Sequence, residues 1–314
     1  MKKIVIALGG NALQDSNSEA TAEEQLKVIK TTTSYLADII ESGNNIVIAH
    51  GNGPQVGRIV IQNNIAKDIT PAMPLDVCGA MSQGMIGYYL QQALGDELRC
   101  RNIQKPVASI ITQVVVDKED SAFKNPTKPI GPFYSKEEAD RMRIEKGYIL
   151  IEDSGRGFRR VVASPLPKSI VEIETVKTLI ENDNIVITVG GGGIPVIEEN
   201  GKLEGISAVI DKDLASEKLA EDFDADILLI LTAVEKVSIN FGKKNQIDLD
   251  KVTVKEMRNF VNQGHFASGS MLPKVMAAIK FVESKPGRKS IIASLNKAKE
   301  ALEGESGTVI SWVL

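Results

Sequence analysis

The chain has 314 residues, 43% hydrophobic and 25% charged, the proportions of an ordinary globular protein with room for one large domain or two lobes. A formal net charge of -4, from 37 basic and 41 acidic residues spread along the chain, excludes a broad electropositive face for nucleic acid, so anion binding falls to local clusters. The apolar segment Lys3–Leu8 is too short for a signal peptide and no 18-residue apolar run follows, which predicts a cytoplasmic protein with no membrane partner.

The first predicted strand, Lys3–Leu8, carries Ile4-Val5-Ile6 and ends in Gly9-Gly10-Asn11. Glycines at a strand end let backbone N–H groups approach an anion, although one such turn serves equally well as plain punctuation. Helical spacing over 21–41 separates it from a second strand at Ile46-Val47-Ile48, which leads into His50-Gly51-Asn52-Gly53-Pro54. Pro54 suits the first turn of a helix over 54–65 and Asn52 suits its cap, so the helix N-terminus offers a second anion cradle. The run Gly51-x-Gly53-x-x-x-Gly57 is one residue too long for a dinucleotide fingerprint and follows the second strand, not the first; a dinucleotide-binding oxidoreductase is the competing class.

A helix over 76–101 carries both cysteines, Cys78 and Cys100, about 33 Å apart at 1.5 Å per residue, which excludes a disulfide. After a strand over 107–116 the alternation breaks. Between 121 and 167 stand Pro126, Pro129, Pro132, Pro165 and Pro167 with the basic cluster Arg156, Arg159 and Arg160. A structureless loop of that length is foreign to a compact domain, so the stretch reads as a small inserted subdomain over a crevice. Lys128, held near Pro126 and Pro129, sits on stiffened backbone that suits a reaching cation.

A helix over 169–181 and a strand over 185–189 lead to four consecutive glycines at 190–193. Each costs backbone entropy that a mere turn does not require, so close approach to a ligand is expected, with a glycine hinge as the alternative. Asp211-Lys212-Asp213 opens a helix over 212–222, and a strand over 227–231 runs into Thr232-Ala233. Helices over 253–263 and 271–283 complete the pattern, the second entered through Gly269-Ser270-Met271-Leu272-Pro273-Lys274. Lys212 and Lys274 fall in first turns, where the helix dipole disfavours a cation, so their placement points to function.

Short buried-type strands alternating with helices predict βαβ units and an α/β fold with a largely parallel sheet. The glycine-bearing turns would converge beyond the carboxyl ends of the strands. No Gly-x-x-x-x-Gly-Lys-Ser/Thr occurs, which excludes a P-loop NTPase. His50 and His265 lack metal-ligand spacing and are assigned to structure, and Ser82 lacks the setting of a hydrolase nucleophile. Met73, Met81, Met85, Met271 and Met276 are expected to fill core gaps.

Taken in order, Ala7–Leu13, His50–Gly57, Asp76–Gly84, Asn125–Phe133, Asp153-Ser154-Gly155-Arg156-Gly157, Ala208–Leu214 and Gly269–Lys274 closely resemble the carbamate kinases of the amino acid kinase superfamily. The resemblance spans essentially the whole chain. It implies a three-layer αβα sandwich with a mostly parallel central sheet and a small inserted subdomain at about 121–167. Residues 1–210 would form the lobe for carbamate or carbamoyl phosphate and 211–314 the nucleotide lobe, usually in a homodimer. The implied reaction is carbamoyl phosphate plus ADP giving ATP and carbamate, in arginine catabolism; another acyl-phosphate-forming member of the superfamily is the alternative. By motif, Gly10, Asn11, Gly51, Asn52 and Gly53 would hold the small substrate, Lys128, Lys212 and Lys274 would neutralise the phosphoryl group, and Asp211 would orient the lysines. Gly9, Gly191, Ala233, Val234, Met271 and Lys274 would serve ATP or ADP, with Mg2+ bound through the phosphates and no metal site in the protein.

The residue inventory agrees with that chemistry, because a carbamate oxygen is already anionic and attacks or leaves without a general base. Kinases of the superfamily that act on acetylglutamate or aspartate usually place a lysine at the end of the first strand. Ala7 and Leu8 stand there in this chain, and Lys128 from the insertion would substitute.

Overall fold

Runs of β-branched residues build the centre of the molecule. The structure is a computed structural model that describes residues 1–15, 19–153 and 155–313; Ser154 of the 153–157 motif lies outside them. The main sheet has eight strands, labelled in chain order. They are β1 (Lys3–Leu8), β2 (Asn45–His50), β3 (Val107–Ser109), β4 (Ile185–Ile187), β5 (Ile227–Thr232), β6 (Lys251–Thr253), β7 (Lys289–Ser294) and β8 (Thr308–Ser311). Their spatial order is β6-β8-β7-β5-β1-β2-β4-β3, and every pairing is parallel except β7 with β8.

The helices, again in chain order, are α1 (Ala22–Ile40), α2 (Gly53–Ala66), α3 (Leu75–Cys100), α4 (Lys136–Lys146) and α5 (Ile173–Glu181). They continue with α6 (Lys212–Asp222), α7 (Val254–Asn262), α8 (Met271–Ser284) and α9 (Ala298–Glu303). Successive strand side chains point to opposite faces, so Ile4, Ile6 and Leu8 pack with α1, α3 and α9, while Val5 and Ala7 pack with α5, α6, α7 and α8. Both faces are covered, which makes the predicted three-layer αβα sandwich and explains why the strands read as continuous apolar runs. Each fully buried Ile, Leu or Val contributes about 1.5–3 kcal/mol.

Strands from the first 187 residues lie on one side of the sheet and those from 227 onward on the other, joined through the pairing of β1 with β5. Both halves of the chain therefore contribute strands to one continuous sheet. The 121–167 stretch holds a compact unit, an antiparallel sheet of Lys128–Tyr134, Phe158–Val162 and Leu150–Glu152 with α4 against it. A capping box of Ser135 and Glu138 starts α4, and Gly147 ends it in the left-handed region at φ 64°. No helix among the described residues is long and apolar enough to cross a membrane.

Several expectations need correction. The strand expected over 107–116 is two strands in different sheets, because Gln83 turns the chain between them: its amide accepts from Thr112 N–H at 2.7 Å and donates to the Thr112 carbonyl at 3.1 Å. Ser169 is not helical; Pro167–Ile170 pairs antiparallel with Gln113–Val116, and α5 starts only at Ile173. The sequence reading places no element at β6, β7, β8, α4 or α9. Met73 and Met81 are each 46% exposed and Met276 is 37% exposed, so these three do not fill the core, whereas Met85 and Met271 pack against it. Cys78 and Cys100 are both free thiols on α3.

Candidate active site

Three strand ends meet near the middle of the sheet, where β1 lies between β2 and β5. Gly9 N–H donates to the Leu231 carbonyl at 3.1 Å and Gly51 N–H to the Leu8 carbonyl at 3.3 Å, which draws the turns together. A Cβ at Gly9 would stand 2.9 Å from the Leu231 oxygen, so strand contact itself demands glycine there. Gly10 and Gly53 have no atom within 4 Å of where a Cβ would stand. Both line a cleft of about 300 Å³ with Asn52, Lys128, Lys212 and Lys274.

The three lysines arrive from separate stretches of chain and are held by two neighbouring carboxylates. Asp211 caps α6 by accepting from Asp213 N–H at 2.9 Å, and its other oxygen accepts from Lys128 Nζ at 2.9 Å. Asp213 sits between the remaining pair, 2.6 Å from Lys212 Nζ and 3.0 Å from Lys274 Nζ. Burial would raise the Asp213 carboxyl, but the two ammonium groups outweigh it and hold it below the usual range. Burial pushes Lys212 below the ordinary lysine range; Asp213 acts against that shift and Lys274 adds to it. Asp211 orients only Lys128. Asp213, which sequence reasoning did not nominate, orients the other two, and its only signal was its place beside Lys212 in Asp211-Lys212-Asp213.

His50 is 2% exposed, and Nδ1 donates to the Gly51 carbonyl at 2.8 Å. Burial lowers it to about 4, with that hydrogen bond acting against the shift and Lys212 reinforcing it, so the ring is neutral at ordinary pH. The expected structural role is what the geometry gives. Asn52 occupies the N-cap position of α2, yet its side chain does not cap; its amide donates to Ser82 Oγ at 2.7 Å, and Ser82 donates to the Gly79 carbonyl at 2.6 Å. The amides opening α2 are thereby left without a side-chain acceptor, as an anion site requires.

The 190–193 turn is packed closely by protein on its side-chain side. A Cβ at Gly190 would lie 2.6 Å from His50 Nε2, and at 191, 192 and 193 it would strike Asn52, the Ile210 backbone and Val114. All but Gly193 are buried. Where side chains would stand, these glycines make room for His50, Asn52, Ile210 and Val114, and Gly191 also requires its φ of 67°. Gly191 lines the cleft beside Asn52, away from Ala233.

A second pocket of about 370 Å³ shares Gly10, Lys212 and Lys274 with the cleft. Gly9, Asn11, Thr232 and Ala233 line it, together with Ser294 and Asn296, which the sequence reading misses because β7 goes unrecognised. The signal was available in Ser290-Ile291-Ile292-Ala293-Ser294. Val234 lines a neighbouring depression with Phe241 and Asp248, while Met271 packs half-buried against the core.

A model of the amino acid kinase family matches residues 2–294, and the chain belongs to that family. Within it, the chain is 54% identical over 313 residues to the carbamate kinase of Thermococcus kodakarensis, with 99% of both chains covered. It is 54% identical over 311 residues to that of Clostridium perfringens, covering 98% of this chain and 99% of the relative. A solved structure of carbamate kinase from Giardia lamblia bound to AMP-PNP superposes with a TM-score of 0.94 at 46% identity, covering 99% of this chain and 98% of that one. Membership in a kinase family sets aside the oxidoreductase alternative.

Proposed function

We propose that this chain catalyses reversible phosphoryl transfer between carbamoyl phosphate and ADP, giving ATP and carbamate. The observation that carries the reading is the convergence of Lys128, Lys212 and Lys274 on Asp211 and Asp213 at the mouth of the glycine turns. Phosphoryl transfer asks a protein mainly for positioning and for charge on the equatorial oxygens, and three cations with free turn amides supply both. Gly10, Gly51, Asn52 and Gly53 hold the acyl phosphate on the α2 side, and Asn11, which lines the neighbouring pocket, meets it from the other side of Lys212 and Lys274. The pocket at Thr232 and Ala233 takes the phosphate end of the nucleotide, so Lys212 and Lys274 stand where the two pockets join and the phosphoryl group passes.

Lys128 reaches in from the insertion and is a third exposed, so it can leave Asp211 for the substrate phosphate. The attacking or leaving carbamate oxygen is anionic, and the neutral, buried His50 is occupied by a backbone carbonyl; no proton transfer is required of the protein. Asp211 and Asp213 are engaged by lysines, and no group of three or more His, Cys, Asp or Glu suited to a metal occurs among the described residues. That donor set fits Mg2+ carried by nucleotide phosphates and water. When bound, such an ion neutralises phosphate charge.

The reading includes a cytoplasmic homodimer acting in arginine catabolism. Val77, Met81 and Tyr88 are exposed at i, i+4 and i+11 on α3, an apolar stripe that favours self-association. An ATP-formation assay with carbamoyl phosphate, acetyl phosphate and acetylglutamyl phosphate side by side tests the activity. Preference for carbamoyl phosphate is expected, and absence of ATP from it sinks the reading.

A further inference from the structure

α6 and α8 each deliver a lysine to the cleft, and two acid–base rungs tie these helices together. Asp213 and Glu217 stand at i and i+4 on α6, hence on one face of it, and both are buried, Glu217 completely. Asp213 accepts from Lys274 Nζ at 3.0 Å, and Glu217 accepts from Lys280 Nζ at 2.7 Å, both lysines belonging to α8. The first rung is in the cleft. The second lies behind it, on the wall of neither pocket.

The second rung is an unfavourable way to join two helices. Glu217 Oε1 is buried with no hydrogen-bond partner, and a half-satisfied buried carboxylate costs stability that apolar side chains in its place would not. Around it the interface is apolar, with Ala215, Leu219, Ala277, Ala278 and Phe281. Such surfaces adhere without fixing how far one helix slides along the other, whereas a charge-assisted hydrogen bond specifies one point of contact.

We propose that the Glu217–Lys280 rung is a positioning brace that fixes the axial register of α8 on α6 and so holds Lys274 against Asp213 at the phosphoryl site. The inference rests on the phosphotransferase reading above. Its sensitivity to pH follows from burial, which pushes the Glu217 carboxyl up to about 6 against the opposing effect of Lys280; along α6 itself Glu221 raises it and Lys218 lowers it. As pH falls through that value, Glu217 takes a proton and loses the charge that holds Lys280.

Glu217→Gln keeps the shape and removes the charge. The expected result is a fall of roughly 10- to 100-fold in kcat/KM for ATP formation at pH 8, the loss that follows from misplacing a reacting group by about 1 Å. ADP affinity, read by calorimetry, falls with it. Tm stays the same or rises, since a partnerless buried oxygen is no longer charged, and the variant loses an acid limb near pH 6 that the wild type shows. Lys280→Met, made at a half-exposed side chain that the fold can spare, reproduces the kinetic loss, and Lys280→Arg restores activity. A merely structural pair predicts the reverse: a lower Tm for Glu217→Gln with wild-type kcat/KM, ADP affinity and pH profile, and that pattern overturns the brace. Failure of the reaction itself appears in the wild type, where ADP affinity still reads the brace.

Discussion

The lysine flank of the cleft, made by α6, α8 and the strand Lys128–Tyr134, and the glycine flank, made by the turns after β1, β2 and β4, work by opposite means. On the lysine flank, three ammonium groups close around two carboxylates, and each side chain is needed for its charge. On the glycine flank the useful property is a missing side chain, and even there two uses are distinct. Gly10 and Gly53 leave ligand space open, whereas the glycines at 190–193 give up their space to His50, Asn52, Ile210 and Val114. Residues of one type at strand ends thus leave open space in one turn and make room for Asn52 and His50 in another.

The sharpest way to break this comparison is Lys274→Ala or Lys128→Ala. Each is expected to lower kcat for ATP formation about 10³-fold, as loss of a group stabilising the transferring phosphoryl does, with an unchanged circular dichroism spectrum. Turnover retained in both would place the chemistry elsewhere. On the other flank, Gly191→Ala is expected to cost at least about 1–3 kcal/mol in urea unfolding from its left-handed backbone alone, and to weaken substrate binding by displacing Asn52.

His50→Gln sharpens the contrast through pH. Between pH 6.5 and about 4 the unfolded chain protonates this histidine and the fold does not, so stability is full above pH 6.5 and drains away as pH falls toward 4. The drop from 6.5 to about 4 corresponds to about 3 kcal/mol, which the variant should not lose over that range in a series of urea titrations. Gly10→Ala is the mildest. With nothing within 4 Å of the new methyl, unfolding should be unchanged while KM rises roughly tenfold, the usual cost of one extra carbon in a binding pocket. A destabilised Gly10→Ala, or a Gly191→Ala with wild-type stability, would erase the distinction between the two kinds of turn.

Much of the fold was legible because its signals are local. Ile4-Val5-Ile6 and Ile46-Val47-Ile48 announce buried parallel strands, and α1, α2, α6, α7 and α8 begin close to where their spacing and caps place them. β7 and β8 were missed although β7 is apolar, because it follows a long helix without a glycine-bearing turn at its carboxyl end to mark it. Pro167–Ile170 reads as the start of α5 by composition, and it becomes a strand only because Gln113–Val116 offers it a partner. In the site, Lys128, Lys212 and Lys274 were legible from backbone setting and helix-dipole placement. Asp213 was not, since an acidic residue in a first turn already satisfies the dipole and needs no second reason to be there.

The sequence by itself determined the periodicities that alternate strand with helix, the glycine turns at strand ends and three lysines placed where helix or loop gains nothing from them. Tertiary structure alone decided that Lys128 meets Asp211 across 83 residues, that Lys274 meets Asp213 across 61, and that His50, Asn52, Ile210 and Val114 fill the space beside the glycines at 190–193. The physical reason is range. Helix and strand periods are set by neighbours a few bonds away, whereas which charge faces which, and what fills the space beside a glycine, depends on surfaces that meet only once the sheet is closed.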